Sequence, residues 1–297
     1  MVAEQGVVVG VDGSPQSLDA VAWAALDASH RGRPLNILYA FMWPSVYAPV
    51  AAPVPTPYEQ GMQAVAAEIV AEAAARARAA APGVRLTTAM QVEPAASALL
   101  RAAEHAGTVV VGSRGRGGFA GLLLGSVGVQ LAAHAACPVV IVRRAERPAG
   151  AEAGRVVIGI DGSHDAERAL RFAFEQASSR GTGLTAVLAY HWPKSNGPGD
   201  MLPVAFDPGA LREDERRTLA EATCGWIEKY PDVDFRSTVV KGRPAAVLIA
   251  LSAGAELLVV GSRGRGGFAG LMLGSVSQAA IHHAACPVAI VRSAAHR

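Results

Sequence analysis

The sequence predicts a doubly wound α/β fold built twice in tandem, each half a parallel sheet with helices on both faces. Three observations carry that expectation. The chain has 297 residues, enough for two ordinary domains, each with a core of its own. It matches itself at one dominant offset: Val11-Asp12-Gly13-Ser14 returns as Ile160-Asp161-Gly162-Ser163, 149 positions further on. Gly112 to Val127 (GSRGRGGFAGLLLGSV) and Gly261 to Val276 (GSRGRGGFAGLMLGSV) keep that spacing and agree at 15 of 16 positions. Finally, short apolar runs alternate with helical patterns through both halves, as parallel strands joined by helical crossovers require.

In the first half, β-branched or apolar runs at Val7 to Val11, Leu35 to Ala40, Leu86 to Val92, Thr108 to Gly112 and Val139 to Val142 predict five strands. Helical patterns at Ser17 to Arg31, Glu59 to Ala80, Ala95 to Ala106 and Ser126 to Ala135 fill the intervals, and right-handed crossovers put them on both faces. The second half repeats the scheme, with strands near Val156 to Ile160, Leu184 to Ala189, Phe235 to Val240, Leu257 to Gly261 and Val288 to Val291. Pro94 follows Asp12 by 82 positions and Pro244 follows Asp161 by 83, which predicts a small shift in the third strand. The polar, Pro/Gly-containing stretch 146–154 is expected to be the linker between domains at 1–145 and 155–297. Whole domains are duplicated here, not short solenoid units. Trp43 to Gln60 and the stretch after Trp192 have diverged almost completely, so the glycine-rich segment is held more tightly than its surroundings.

Composition narrows the function classes. With 51% hydrophobic and 18% charged residues the chain is neither disordered nor fibrous. A net charge of +2 without a Lys/Arg stripe gives no footprint for nucleic acid. Cys137, Cys224 and Cys286 are far apart and form no C-x-x-C pair, which argues against disulfide frameworks and zinc sites. The chain enters a strand-like run at Val7 without an n-region and h-region, and the Ala-rich segment Gln63 to Ala81 is broken by Glu68, Glu72, Arg76 and Arg78. A cytoplasmic protein with no membrane insertion is expected.

In open parallel sheets a ligand sits beyond the carboxyl ends of the strands, where the winding reverses. Asp12 and Gly112 fall at such ends, as do Asp161 and Gly261. From Gly112 the loop runs through Gly115, Gly117, Gly118 and Gly121 to Gly125-Ser126, where Ser126 is a natural N-cap for the next helix. A glycine turn can aim several backbone N–H groups into one concavity, and the helix N-terminus adds its positive end, so the pair suits phosphates. Arg114 and Arg116 offer full charges, either to phosphate or to solvent. Asp12 repels phosphate; its roles are accepting a ribose hydroxyl, holding a magnesium ion, or simply shaping the turn into the helix. The ordinary phosphate loops do not match: no lysine follows Gly117 or Gly266, and Gly115-Arg116-Gly117-Gly118-Phe119-Ala120 follows a late strand with no acid about 20 residues on.

The spacing Gly112-x2-Gly115-x9-Gly125-Ser126, repeated as Gly261-x2-Gly264-x9-Gly274-Ser275, resembles the ATP-binding motif of the universal stress protein family. The early Val/Ile-Asp-Gly-Ser turn and the closing Cys-Pro-Val strand are also similar to that family, and the tandem arrangement looks like its two-domain actinobacterial members. The resemblance covers nearly the whole chain. It implies Rossmann-like (adenine nucleotide alpha hydrolase-like) domains with strand order 3-2-1-4-5 and ATP, with Mg2+, across strands 1 and 4. Val11 and Asp12 would contact the ribose side, Ala40 the adenine, Val111, Gly112, Arg114 and Gly115 the phosphates, and Gly125, Ser126 and Val127 would complete the pocket. Ile160, Asp161, Ala189, Val260, Gly261, Arg263, Gly264, Gly274, Ser275 and Val276 would repeat those roles. Any metal would ride on the phosphates, with Asp12 or Asp161.

Plainer readings bound the remaining residues. His134 and His283 fall near the end of the helix whose start faces the phosphates, about 12 Å away at 1.5 Å per residue, and suit the negative helix end. Cys137 and Cys286 read as buried packing residues, and Pro44 to Pro57 as a surface loop or a lid over the adenine. No base, nucleophile and orienting group can be assembled from residues shared by both halves, so an ATP-occupancy regulator of stress or dormancy is favoured over a nucleotidyl-transfer enzyme or slow ATPase. Bulk electrostatics names no partner; the resembling family pairs its last strand across a dimer, which implies homodimers or intrachain pairing through 139–142 and 288–291.

Overall fold

The computed structural model describes residues 5–42, 57–115, 125–143, 150–163, 166–191, 208–264 and 272–292. The chain divides into two compact units, Met1–Arg144 and Ala145–Arg297. The first contains β1 (Val7–Val11), α1 (Pro15–His30), β2 (Leu35–Phe41), α2 (Pro57–Ala80), β3 (Leu86–Val92), α3 (Ala95–Ala103), β4 (Thr108–Gly112), α4 (Ser126–His134) and β5 (Val139–Val142). The second contains β6 (Val156–Ile160), α5 (Ala166–Arg180), β7 (Leu184–Tyr190), α6 (Pro208–Lys229), β8 (Phe235–Lys241), α7 (Pro244–Leu251), β9 (Leu257–Gly261), α8 (Ser275–His283) and β10 (Val288–Val291). Strand and helix alternate throughout, as the α/β expectation requires.

In the first unit the strands lie parallel in the order β3-β2-β1-β4-β5. In the second the order is β8-β7-β6-β9-β10, again parallel. The winding reverses between β1 and β4, and between β6 and β9, which leaves a crevice at their carboxyl ends. The central strands are unbroken apolar runs because both faces are covered: Val7, Val9, Val109 and Val110 are buried, as are Val156, Ile158, Leu258 and Val259. β3 follows another rule, with most of its side chains reaching solvent.

Helix α1 shows how the local sequence builds the wall behind the crevice. Ser14 is its N-cap, the Oγ accepting from the Ser17 N–H at 3.2 Å, and Pro15 occupies the first turn, where a missing N–H costs nothing. Its buried stripe, Ala20, Val21, Ala24, Ala25 and Ala28, is small enough to bring the helix axis close to the sheet.

Two sequence expectations need correcting. No shift enters the third strand: β3 and β8 keep the 149-residue spacing end to end. The proline has moved instead, from the N-cap of α3 (Pro94) to the first turn of α7 (Pro244), two neighbouring positions that both tolerate a missing donor. Ser126 is not the N-cap of α4. Gly125 takes that place with φ −74° and ψ 148°, and Gly274 does so for α8, because the extended residue before each helix is the glycine. Arg116, Gly117, Gly118, Gly121, Gly266 and Gly267 lie outside the described residues, as do residues 44–56 of the suggested lid and 146–149 of the suggested linker.

Candidate functional site at the strand ends

The first unit's crevice is assembled from three strand ends. Val11 pairs with Tyr39, so Asp12 and Ala40 stand together one residue beyond that pair. Gly13 has φ +77°, a region that L side chains rarely adopt, and this turn lets the Ser14 N–H donate back to Asp12 Oδ1 at 3.0 Å. The Asp12 carboxylate is thereby held over the end of β1. Across the crevice it meets the loop after β4: a Cβ on Gly115 would fall on Asp12 Oδ2, so a side chain there would have to displace the carboxylate.

The loop has a closed neck. Leaving β4, the Ser113 N–H donates to the Val142 carbonyl at 2.8 Å, which pins the chain to the end of β5. Returning, the Gly125 N–H donates to the Ser113 carbonyl at 2.9 Å and α4 begins. Gly125 supplies no side-chain cap, and the first turn of α4 carries no acid. Among the described residues no side chain therefore caps the leading N–H groups or offsets the positive end of the helix dipole.

The second unit repeats the arrangement. Ile160 pairs with Leu188, setting Asp161 beside Ala189; Gly162 has φ +71°; and a Cβ on Gly264 would fall on Asp161 Oδ2. The Ser262 N–H donates to the Val291 carbonyl at 2.9 Å, and the Gly274 N–H to the Ser262 carbonyl at 2.8 Å. Two details differ. The Ser163 hydroxyl donates to Asp161 Oδ1 at 2.7 Å, whereas the Ser14 hydroxyl caps α1. Ser277 stands where the first unit has Gly128, and its Oγ lies 2.8 Å from the Ser262 carbonyl and 2.9 Å from the Gly274 carbonyl, within donating reach of both.

Of the residues singled out from the sequence, Asp12, Ala40, Gly112, Arg114, Gly115 and Gly125 gather at this edge, and Asp161, Ala189, Gly261, Arg263, Gly264 and Gly274 gather at its counterpart. Val11, Val111, Ile160 and Val260 are buried in their strands, so only their backbone can face a ligand. Ser126 and Ser275 are exposed at the helix starts, while Val127 and Val276 are half-buried. His134 and His283 end their helices, and Cys137 and Cys286 are buried.

The sequence reading missed one pair of cations. Arg143 and Arg292 directly follow β5 and β10, beside Ser113 and Ser262, because Gly112 pairs with Val142 and Gly261 with Val291. Burial, and then the nearby Arg263 guanidinium, hold Arg292 below the usual arginine pKa. Both follow an Ile-Val at the common offset, so the repeat itself carried the signal. Among the described residues no group of three or more His, Cys, Asp or Glu side chains converges as a metal cage, and no helix is long and apolar enough to cross a membrane.

The model of the universal stress protein family matches the chain twice, over residues 5–143 and 152–292. A universal stress protein of Mycobacterium tuberculosis (strain H37Rv) is 38% identical over 295 residues, covering 97% of each chain. One from Mycolicibacterium smegmatis is 37% identical over 300 residues, again covering 97% of each. The crystal structure of a universal stress protein from Archaeoglobus fulgidus shares the fold, with a TM-score of 0.69 at 20% identity over 98% of this chain and 99% of its own. Two matches to one family model, joined by relatives aligned end to end, mean that the chain belongs to the universal stress protein family, as a tandem two-domain member.

Proposed function

We propose that each unit binds ATP at its strand-end crevice, and that nucleotide occupancy, rather than turnover, is what the protein communicates to other molecules. The observation that carries this reading is the openness around Gly125 and Gly274. Both have backbone angles that any residue adopts. Among the described residues, a Cβ on Gly125 would meet nothing nearer than 3.8 Å, and one on Gly274 nothing nearer than 3.4 Å. Neither conformation nor the packing of the described residues asks for glycine there, yet both units have it. A group approaching from outside supplies the reason: phosphate oxygens reaching backbone N–H groups at a helix start need the space that a side chain would fill.

The rest of the crevice fits a nucleotide in the same terms. Ala40 and Ala189, small and half-buried at the strand edge, leave room for a flat base. The carboxylates of Asp12 and Asp161 would accept ribose hydroxyls. Arg114 and Arg263 would balance phosphate charge. A magnesium ion would be held chiefly by the phosphates, with at most one of these carboxylates, in keeping with its habit of retaining waters. In this reading ATP orders the glycine loop and shifts the protein between states that meet partners differently, in the cytoplasm and through pairing of the apolar strands 139–142 and 288–291 with like strands.

Native mass spectrometry of freshly purified protein, followed by calorimetric titration with ATP and magnesium, tests the proposal. Two bound nucleotides per chain are expected, falling to one in Gly125→Glu or Gly274→Glu and to none in the double variant. Titrations unchanged by the double variant, or no heat with the unmodified chain, would refute it.

A further inference from the structure

Three strand ends stand in a row across each crevice. In the first unit Asp12 lies beside Ala40, and Ala40 pairs with Gln91 of β3. In the second Asp161 lies beside Ala189, and Ala189 pairs with Val240 of β8. Residues paired across neighbouring strands share a face of the sheet, so Ala40 and Gln91 point the same way, as do Ala189 and Val240. In the first unit that face is the α3 side: Leu38, two residues before Ala40, pairs with Gly10, and Leu99 of α3 lies against Gly10. Helix α4, into which the glycine loop leads, packs against α3. With strands about 4.8 Å apart, carboxylate, methyl and amide span about 10 Å, the length of a nucleoside from its ribose hydroxyls to the far edge of its base.

Solvation does not account for Gln91. Its side chain is half-buried, whereas the apolar Met90 and Val92 on either side of it are 51% and 55% exposed. Water alone would favour the opposite arrangement, the amide outside and the aliphatic groups covered. Strand β8 keeps that ordinary arrangement, with Val240 half-buried and Lys241 exposed. Among the described residues the Gln91 amide makes no side-chain hydrogen bond. A partly covered donor and acceptor without a protein partner, at the far end of the row, is what a ligand's polar edge would satisfy.

We infer that Gln91 reads the edge of the base in the first crevice and selects adenine there, whereas the second crevice, with Val240, holds the base by packing alone and accepts other purines. Adenine presents an amine donor next to a ring-nitrogen acceptor, and a glutamine amide matches that pair with its carbonyl and its NH2. Valine offers neither. The inference rests on the nucleotide-binding reading above and adds that the two sites differ in what they ask of the base. The first answers to adenine nucleotides, the second to purine nucleotides more broadly.

The test uses the full chain with one crevice blocked: Gly274→Glu leaves the first open, Gly125→Glu the second. ATP and purine riboside triphosphate, which differs from ATP only in lacking the exocyclic amine, are titrated into each by calorimetry with magnesium. The first crevice is expected to bind ATP about fivefold more tightly than the analogue, as one partly exposed neutral hydrogen bond gives, and the second to bind the two alike. Gln91→Val should bring the ratio at the first crevice to about one, and Val240→Gln should raise that of the second toward fivefold. Each exchange puts at one register position the residue that the other unit carries there, so these variants should fold. Should a blocked chain not fold, the same exchanges in the otherwise unmodified chain move the ratio at one of its two sites. Equal ratios in the two crevices, or ratios indifferent to these exchanges, would overturn the inference while leaving nucleotide binding standing. Absence of any nucleotide binding in the unmodified chain would overturn both.

Discussion

Gly125→Ala separates a glycine kept for a ligand from one kept for the fold. The added methyl meets Arg114 Cα and the Ser113 carbonyl only at 3.8 Å, and φ −74° with ψ 148° suits alanine. Alanine is a poorer N-cap than glycine by up to about 1 kcal/mol, and the stiffer unfolded chain returns about 0.4–1 kcal/mol, so the two terms nearly cancel. In a domain of this size that leaves Tm within about 3 °C of the unmodified protein. Binding should suffer more. The methyl stands at the start of α4, and holding a phosphate oxygen away from even one backbone N–H forfeits a charge-assisted hydrogen bond of about 1.5–3 kcal/mol. ATP affinity at the first crevice should therefore fall at least about tenfold. Calorimetry in a chain whose second crevice is blocked by Gly274→Glu, beside a thermal melt without nucleotide, measures both quantities. Unchanged affinity, or a melt lowered by more than about 5 °C, would refute the reasoning, since either result would make Gly125 a residue of the fold alone.

Two further outcomes follow from hydrogen bonds of the second unit. Ser277 is buried and its hydroxyl lies within bonding distance of the Ser262 carbonyl, so Ser277→Ala should cost about 1 kcal/mol and lower the melting of that unit by about 2–4 °C, with ATP affinity there reduced; an unaltered melt would show that the hydroxyl does not hold the loop neck. The Arg155 guanidinium, hydrogen-bonded to Asp234, holds that carboxyl below its ordinary value of 3.8. A depressed carboxylate adds stability above its unfolded pKa and loses it as pH falls through the folded value, so the Tm gap between the unmodified chain and Asp234→Asn should be open at neutral pH and close below about pH 3.8; a gap constant with pH would contradict the pairing.

The sheet was legible because its central strands are buried on both faces. Val7–Val11 and Val139–Val142 are runs with nothing polar inside them, and Thr108–Gly112 is apolar after its β-branched Thr108, so their bounds need only the first residue that breaks the run. Helix ends were harder to read. Ala95 to Ala106 looks like one helix, but α3 ends at Ala103, because the Glu104 and His105 N–H groups turn to carbonyls three residues back, at 3.3 and 3.2 Å. Gly-Ser at 125–126 looks like a glycine turn followed by a serine cap, and only φ and ψ reveal that the glycine is the cap.

The strand-end geometry was readable for the same reason that its asymmetry was not. Features common to both halves include Asp12 with Asp161 and Gly115 with Gly264, where a carboxylate lies against a loop backbone. Comparing the halves for identities passes over Ser277, whose interest is that the other half has Gly128. Ser277 is buried against the loop neck, so its hydroxyl changes how the loop is held without altering the outline of the crevice. In a duplicated protein, identities therefore outline the shared crevice, and differences such as Ser277 against Gly128 show where the two copies are held together differently.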